Sequence, residues 1–441
     1  MTELPAPTTA PGLDDATLST EHADLVYRVH VRLIQDIDVA ALEKLPSDEA
    51  RRSLEATVRM LVSEVESGLY GQAKDAVIKA VLDEVVGLGP IQSLIDDRTV
   101  SEVMINGVDE VYFERDGLIY LSGARFRDDG HIMRIIDRII SPLGRRVDES
   151  SPYVDARLPD GSRVNIVIPP LVPRGPTVTI RKFRPDRYTM DDLVSNGTVS
   201  ASMASFLSAC VRLRLSMVLS GGTGTGKTTL LNAISTYLPS SERIITIEDP
   251  IELKLQQQHV ISMEPRPPNI EGKNEVTQRD LVRNALRMRP DRIIVGEVRG
   301  PEAFDMMQAM NTGHEGSMTT VHANTTRDAL ARIENMILMA SFDLPIRAIR
   351  EQMASALNIV IQITRFSDGR RRVSNVAEIT GMESDIVTMQ DLFRFEQTGA
   401  DSQGHVQGEL RPTGIRPTFA DRFEKSGIDF DWGAFSRGAW E

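Results

Sequence analysis

One ten-residue stretch constrains this chain more than any other: Ser220-Gly221-Gly222-Thr223-Gly224-Thr225-Gly226-Lys227-Thr228-Thr229. Gly221-x4-Gly226-Lys227-Thr228 is a complete strand–loop–helix phosphate pattern. Its glycines let the loop curl until backbone N–H groups converge on phosphate oxygens. Lys227 can reach the β- and γ-phosphates, and the Thr228 hydroxyl can ligate Mg²⁺. A helix starting near Lys227 adds the positive end of its dipole. The context agrees, because SMVLS before the loop reads as a strand and LLNAIS after it has helical spacing. The nucleotide-contacting set is therefore Gly222, Thr223, Gly224, Thr225, Gly226, Lys227, Thr228 and Thr229. The glycine spacing differs from G-x-G-x-x-G, so a dinucleotide fingerprint is excluded.

A phosphate loop needs a sheet to carry it. From about residue 191 apolar strands alternate with helical segments: SMVLS, the helix after Lys227, RIITIE, a helix near 278–288, RIIVGE and SMTTVH. Such alternation predicts an α/β fold with a mostly parallel sheet covered on both faces. NIVIQITRF and RVSNVAEIT, joined around Asp368-Gly369, predict a closing hairpin.

Upstream the pattern changes. Residues 1–18 are rich in Pro, Thr and Ala and read as a disordered tail. Residues 19–88 read as a helical bundle, with Ser47 or Asp48 as a helix cap after Pro46. Residues 89–183 read as a small α+β domain. Its strands are SEVMI, VYFER, LIYL and TVTIRKF, its helix is HIMRIIDRII, and ARLPDGSRVNIVI is a hairpin turning at Asp160-Gly161. A second turn signal is Asp116-Gly117. Residues 184–192 are a linker, and 193–441 carry the phosphate loop.

Composition narrows the class. The formal net charge of -13 disfavours a general nucleic-acid-binding surface. A single cysteine, Cys210, excludes an internal disulfide and suits a reducing cytoplasm, with Cys210 as a core residue. No apolar run approaches the roughly 20 residues needed to span a bilayer. MTELPAPTTAPGLDD lacks the basic and apolar regions of a signal peptide, so any membrane association runs through partners.

Three further motifs carry candidate chemistry. RIIVGE ends in Glu297, placed to hold the metal shell, through water, or to position the attacking water. TIEDPIE crowds Glu248, Asp249 and Glu252 at one strand end, a costly arrangement unless a cation or a reacting water uses it. Glu252 is the preferred base, although Glu248, Glu252 and Glu297 can share that work. His314 and His322 bracket GSMTTVH and are candidates to sense the γ-phosphate, their spacing being wrong for a zinc site.

The phosphate loop, TIEDPIE, RIIVGEVRG and TGHEGSMTTVHAN resemble the Walker A, Asp box, Walker B and His box of the secretion ATPases of type II and type IV systems. More narrowly, three segments look like the CpaF-type ATPases of tight-adherence (Tad) pili. They are GLGPIQSLIDDRTVSEVMINGVDEVYFERDG, RPPNIEGKNEVTQRDLVRNALRMRPDRIIVGEVRG and AEITGMESDIVTMQDLFRFEQTG. The resemblance spans roughly residues 80 to 430. One departure is Asn274, where that branch is expected to carry glycine. The resemblance implies a homo-hexameric ring that hydrolyses ATP with Mg²⁺. It implies a PAS-like N-terminal domain hinged to a RecA-like motor domain, and Arg157, Arg163 and Arg181 closing over the phosphates. It also implies a cytoplasmic protein working at inner-membrane pilus platform proteins, with pilus assembly as its output.

Overall fold

The computed structural model describes residues 20–36, 47–115, 118–183, 188–268, 273–340, 344–402 and 404–435. The expected tail at 1–18, Pro46, the Asp116-Gly117 turn and the first linker residues lie outside the described residues. The chain divides into two compact units, Met1–Pro185 and Asp186–Glu441.

In the first unit, helices Thr20–Asp36, Ser47–Val65 and Gly71–Val86 form the bundle. Their apolar residues recur every three or four positions, which lines Leu25, Val29 and Leu33 along one face. That face packs on Val58, Val62, Val77 and Val81.

The α+β part follows. Its strands are β1 (Val100–Ile105), β2 (Val111–Arg115), β3 (Leu118–Leu121), β4 (Tyr153–Arg157), β5 (Arg163–Val167) and β6 (Thr177–Arg181). They form one sheet in the order β3-β2-β1-β6-β5-β4, with every pairing antiparallel. Helix Asp129–Ile140 is capped by Asp128, whose carboxylate accepts from the His131 N–H, and it buries Ile132, Ile135, Ile136 and Ile139. An antiparallel sheet with one covering helix is a common plan and does not by itself single out a PAS fold. Arg138 donates to the carbonyls of Glu84 (2.8 Å) and Gly87 (2.6 Å), tying this helix to the end of the bundle.

The second unit holds β7 (Met217–Ser220), β8 (Ile244–Ile247), β9 (Val260–Met263), β10 (Arg292–Val295), β11 (Met318–Val321), β12 (Ile359–Arg365), β13 (Arg371–Glu383), β14 (Ile386–Ala400) and β15 (Val406–Pro412). The sheet order is β15-β14-β13-β12-β7-β11-β10-β8-β9. The expectation of a mostly parallel sheet needs correction, because the sheet is mixed. The run from β12 to β9 is parallel, while β12 to β15 extend it by antiparallel hairpins. The reason is connection length. Crossover helices allow parallel neighbours, but only short turns join the last four strands, and short turns reverse the chain.

Alternation along each strand feeds two cores. Met217, Leu219, Ile361 and Ile363 face helices Ala201–Arg212 and Lys227–Ser235. Val218, Ile245, Val295 and Val360 face Gln278–Ala285, Glu302–Asn311, Thr326–Met339 and Ile346–Ala356. Cys210 is fully buried in the first core, where burial pushes its thiol well up.

Candidate functional site

Parallel strands point their C-terminal ends to one edge, and the site is built there. Ser220 ends β7, and the loop follows. Gly224 and Gly226 have φ of 68° and 97°, in the left-handed region where glycine is favoured. Gly221 is required for a second reason. A Cβ there would lie 2.5 Å from Thr225 Oγ1 and 2.6 Å from the Ile363 carbonyl oxygen. Thr225 donates to the Gly222 carbonyl at 3.0 Å, closing the curl. The Lys227 ammonium donates to the carbonyls of Gly221 (2.9 Å) and Gly222 (3.0 Å), so its charge lies over the loop's own entrance. Thr228 and Thr229 sit in the first turn of helix Lys227–Ser235, where N–H groups have no helical partner. The loop has the curl, the exposed donors and the cation that a polyphosphate needs.

Backbone bonds carry the neighbouring strand ends to the same edge. Gly221 N donates to the Val321 carbonyl (3.3 Å), and Val298 N to that of Thr320 (3.0 Å). Thr320 Oγ1 donates to the Gly296 carbonyl (2.7 Å), and Gly296 N to that of Ile247 (2.8 Å). Glu248, Glu297, His322 and the phosphate loop therefore follow four adjacent strands in the order β8, β10, β11, β7.

Glu297 is half-buried. Gln278 donates to its carbonyl at 2.8 Å, and Arg299 holds one carboxylate oxygen, Oε2, through Nε (2.8 Å) and Nη2 (2.6 Å). Arg299 is itself fixed, because Glu302 accepts from the N–H groups of Arg299 (2.6 Å) and Gly300 (2.9 Å). Gln278, Arg299 and Glu302 escape a reading of the sequence, since only the fold brings Gln278 to β10.

Glu248 is 2 % exposed. Its Oε1 accepts from the N–H groups of Glu252 (3.1 Å) and Leu253 (2.9 Å), while Oε2 is buried without a hydrogen-bond partner among the described residues. Burial raises its pKa above the ordinary carboxylate range, against the two backbone donors that lower it. It packs so tightly on Gly296 that a Cβ there would lie 2.9 Å from Glu248 Cγ. Glu248 thus holds the 249–253 turn through two backbone donors, whereas the Glu252 side chain is exposed.

The two histidines separate. His322 follows β11 at the phosphate-loop edge. His314 precedes β11, at the opposite edge, where Gly316 N donates to Ser216 Oγ before β7. Four strand residues intervene, about 13 Å at the usual rise. A γ-phosphate role for His314 within its own subunit is therefore not supported, because sequence brackets a strand while the fold assigns its two ends to opposite edges.

In the first unit, Arg157, Arg163 and Arg181 come together. Arg157 pairs with Arg163 across β4–β5, and Arg163 with Arg181 across β5–β6. Like charges directly opposed on a sheet are destabilising, so this row suits an anion. Glu102 relieves one end, 3.6 Å from Arg181.

The family description "Type II/IV secretion system protein" matches residues 84–410. The chain belongs to this family. Members of this secretion family are ATPases, and this chain is an ATPase. A putative conjugal transfer protein of Mycobacterium tuberculosis is 34% identical over 341 residues, 72% of this chain and 96% of that protein. The type IV secretion system protein VirB11 of Bartonella quintana is 31% identical over 329 residues, 66% of this chain and 91% of that protein. Among solved structures, the pilus retraction motor PilT with bound ADP shares the fold, with a TM-score of 0.50 and 24% identity over 65% of this chain and 81% of that one.

Proposed function

We propose that this secretion-family ATPase is a homo-hexameric motor of the CpaF type, hydrolysing ATP to assemble a Tad pilus through an inner-membrane platform. One observation carries the motor reading: the phosphate loop, Glu297, the Glu248–Glu252 turn and His322 all follow strands that end at one edge. In this reading Gly222 to Thr229 hold the triphosphate, and Lys227 leaves the loop carbonyls for the phosphates. Among the described residues no group of three or more His, Cys, Asp or Glu can hold a metal ion. In this reading Thr228 would hold Mg²⁺ together with phosphate oxygens, Glu297 would reach its water shell, and the ion would supply charge neutralisation at the transferred phosphoryl group. Glu252 orients and deprotonates the attacking water, and Glu248 holds the Glu252 backbone in place. His322 reads the γ-phosphate. Arg157, Arg163 and Arg181 of a PAS-like domain bring positive charge when the domains close, so that nucleotide state becomes movement. No described helix is long and apolar enough to cross a membrane.

A second reading is a secretion ATPase that translocates protein or DNA. The names of the Mycobacterium and Bartonella relatives favour it. Replacing the native chain with Lys227→Ala in its host separates the two. The pilus reading expects ATP turnover and surface filaments to vanish together while the protein still assembles. Filaments that persist while secretion or DNA transfer stops support the second reading. Unchanged ATP turnover refutes both.

A further inference from the structure

Three consecutive arginines, Arg370-Arg371-Arg372, follow the turn at Asp368-Gly369. Strand alternation sends successive side chains to opposite faces. Arg372 goes to one side and is buried. It donates to Asp368 Oδ2 (3.3 Å) and the Val406 carbonyl (3.0 Å), and lies over the rings of Phe366 and Phe395, 5.4 and 5.3 Å from their centroids. Asp368 also accepts from the N–H groups of Arg370 (3.0 Å) and Val406 (3.0 Å). The turn is therefore held from several sides by the chain itself, and its shape is set before any ligand arrives.

Arg371 goes to the other side. On that face β12 and β13 pair Ile363 with Val373 and, nearer the turn, Arg365 with Arg371. Ile363 and Val373 belong to the core that includes Leu230 and Leu231 of the helix behind the phosphate loop. Arg365 and Arg371 continue the same face past the rim of that core, and both are exposed.

The phosphate loop rests on this face. The carbonyl oxygen and Cγ2 of Ile363 lie 2.6 and 3.0 Å from where a Cβ on Gly221 would be, and its Cδ1 lies 3.6 Å from one on Gly226. The Cδ of Arg371 is also 3.6 Å from that position on Gly226. Both ends of the loop thus lie beside Ile363, and the stem of Arg371 lies beside the last glycine. There the loop passes into the helix whose first N–H groups take the α- and β-phosphates.

Two guanidinium groups directly opposed across a strand pair repel each other. A polyphosphate beside them reverses the sign, because arginine binds phosphate through parallel charge-assisted hydrogen bonds. We propose that Arg365 and Arg371 form a cationic arm of the nucleotide site that binds the α- and β-phosphates, an assignment that rests on reading residues 221–229 as the nucleotide loop.

The test is ADP binding to the full chain, followed by calorimetry and by the ADP-induced rise in melting temperature. Arg365→Gln and Arg371→Gln are each expected to weaken ADP and ATP equally, by about tenfold. The ADP-induced rise in melting temperature shrinks in both variants. Arg371→Lys restores part of the affinity. Affinities within twofold of wild type overturn the proposal, as does a lower melting temperature with unchanged affinity, which marks a structural role. A loss confined to ATP also overturns it, because the contact is then to the γ-phosphate. If wild type binds no ADP, the loop reading fails. If Lys227→Ala weakens ADP and the arginine variants do not, only the arm fails.

Discussion

Replacing Glu248 tests whether it acts by shaping the turn that carries Glu252. Its Oε1 is the acceptor for the N–H groups of Glu252 and Leu253. Leu253 is 5 % exposed, so its donor has no ready access to water once the carboxylate is removed. An orphaned buried donor costs about 1–3 kcal/mol, and losing one buried methylene adds about 0.8 kcal/mol. Glu248→Ala should therefore cost roughly 2–4 kcal/mol, or about 5–10 °C in the melting of the 186–441 unit. Glu248→Gln keeps an acceptor and removes the titration, which gives an internal check on sign. The folded pKa of Glu248 is raised by burial. The native state then holds its proton where the unfolded chain has lost it. The stabilising contribution is fully present below the unfolded value of about 4.3, and is lost as pH rises through the folded value. The melting temperature of Glu248→Gln relative to wild type should accordingly climb as pH rises from about 4.3 through the folded value, measured by scanning calorimetry on the full chain. A flat or falling difference refutes the buried-carboxylate account. A Glu248→Ala loss below about 1 kcal/mol refutes the capping account.

Two other outcomes follow from backbone position. Asn274 has φ of 63°, the left-handed region that glycine enters freely and asparagine tolerates best among other residues. Asn274→Gly should be neutral within about 0.5 kcal/mol, while Asn274→Val should cost about 1–3 kcal/mol in denaturant unfolding. His322→Ala should lower ATP turnover at saturating ATP by tenfold or more, roughly 1.4 kcal/mol. His314→Ala should leave ATP affinity in equilibrium binding within about twofold.

Much of this site was legible because its chemistry is local. The phosphate loop announces itself through glycines that must turn and a lysine that must reach, and both needs are met within a few residues. Hairpins at Asp160-Gly161 and Asp368-Gly369 were legible for the same reason: Gly161 and Gly369 take φ of 92° and 78°. The departure at Asn274 also becomes intelligible, since asparagine replaces an expected glycine where the backbone is left-handed. Glu297 could be singled out because it ends an apolar strand downstream of the phosphate loop, whereas a charge at a strand end is by itself common.

What the sequence by itself determined, then, is which segments are strands and helices and which loop has the curl of a phosphate loop, because period, turn residues and glycine geometry act over a few bonds. Tertiary structure decided which of those segments meet. The placement of β11 between β7 and β10 brings His322 to the loop and leaves His314 at the far edge. Antiparallel register lines up Arg157, Arg163 and Arg181, and sets Arg365 against Arg371. Beyond the β12–β13 hairpin, the antiparallel extension through β14 and β15 was equally invisible, because its strands alternate like any others and their direction depends on turn length and on the neighbour each strand finds. These are contacts between residues tens to hundreds of positions apart. They are fixed by how two apolar faces of one sheet are buried at once, and no local pattern encodes that.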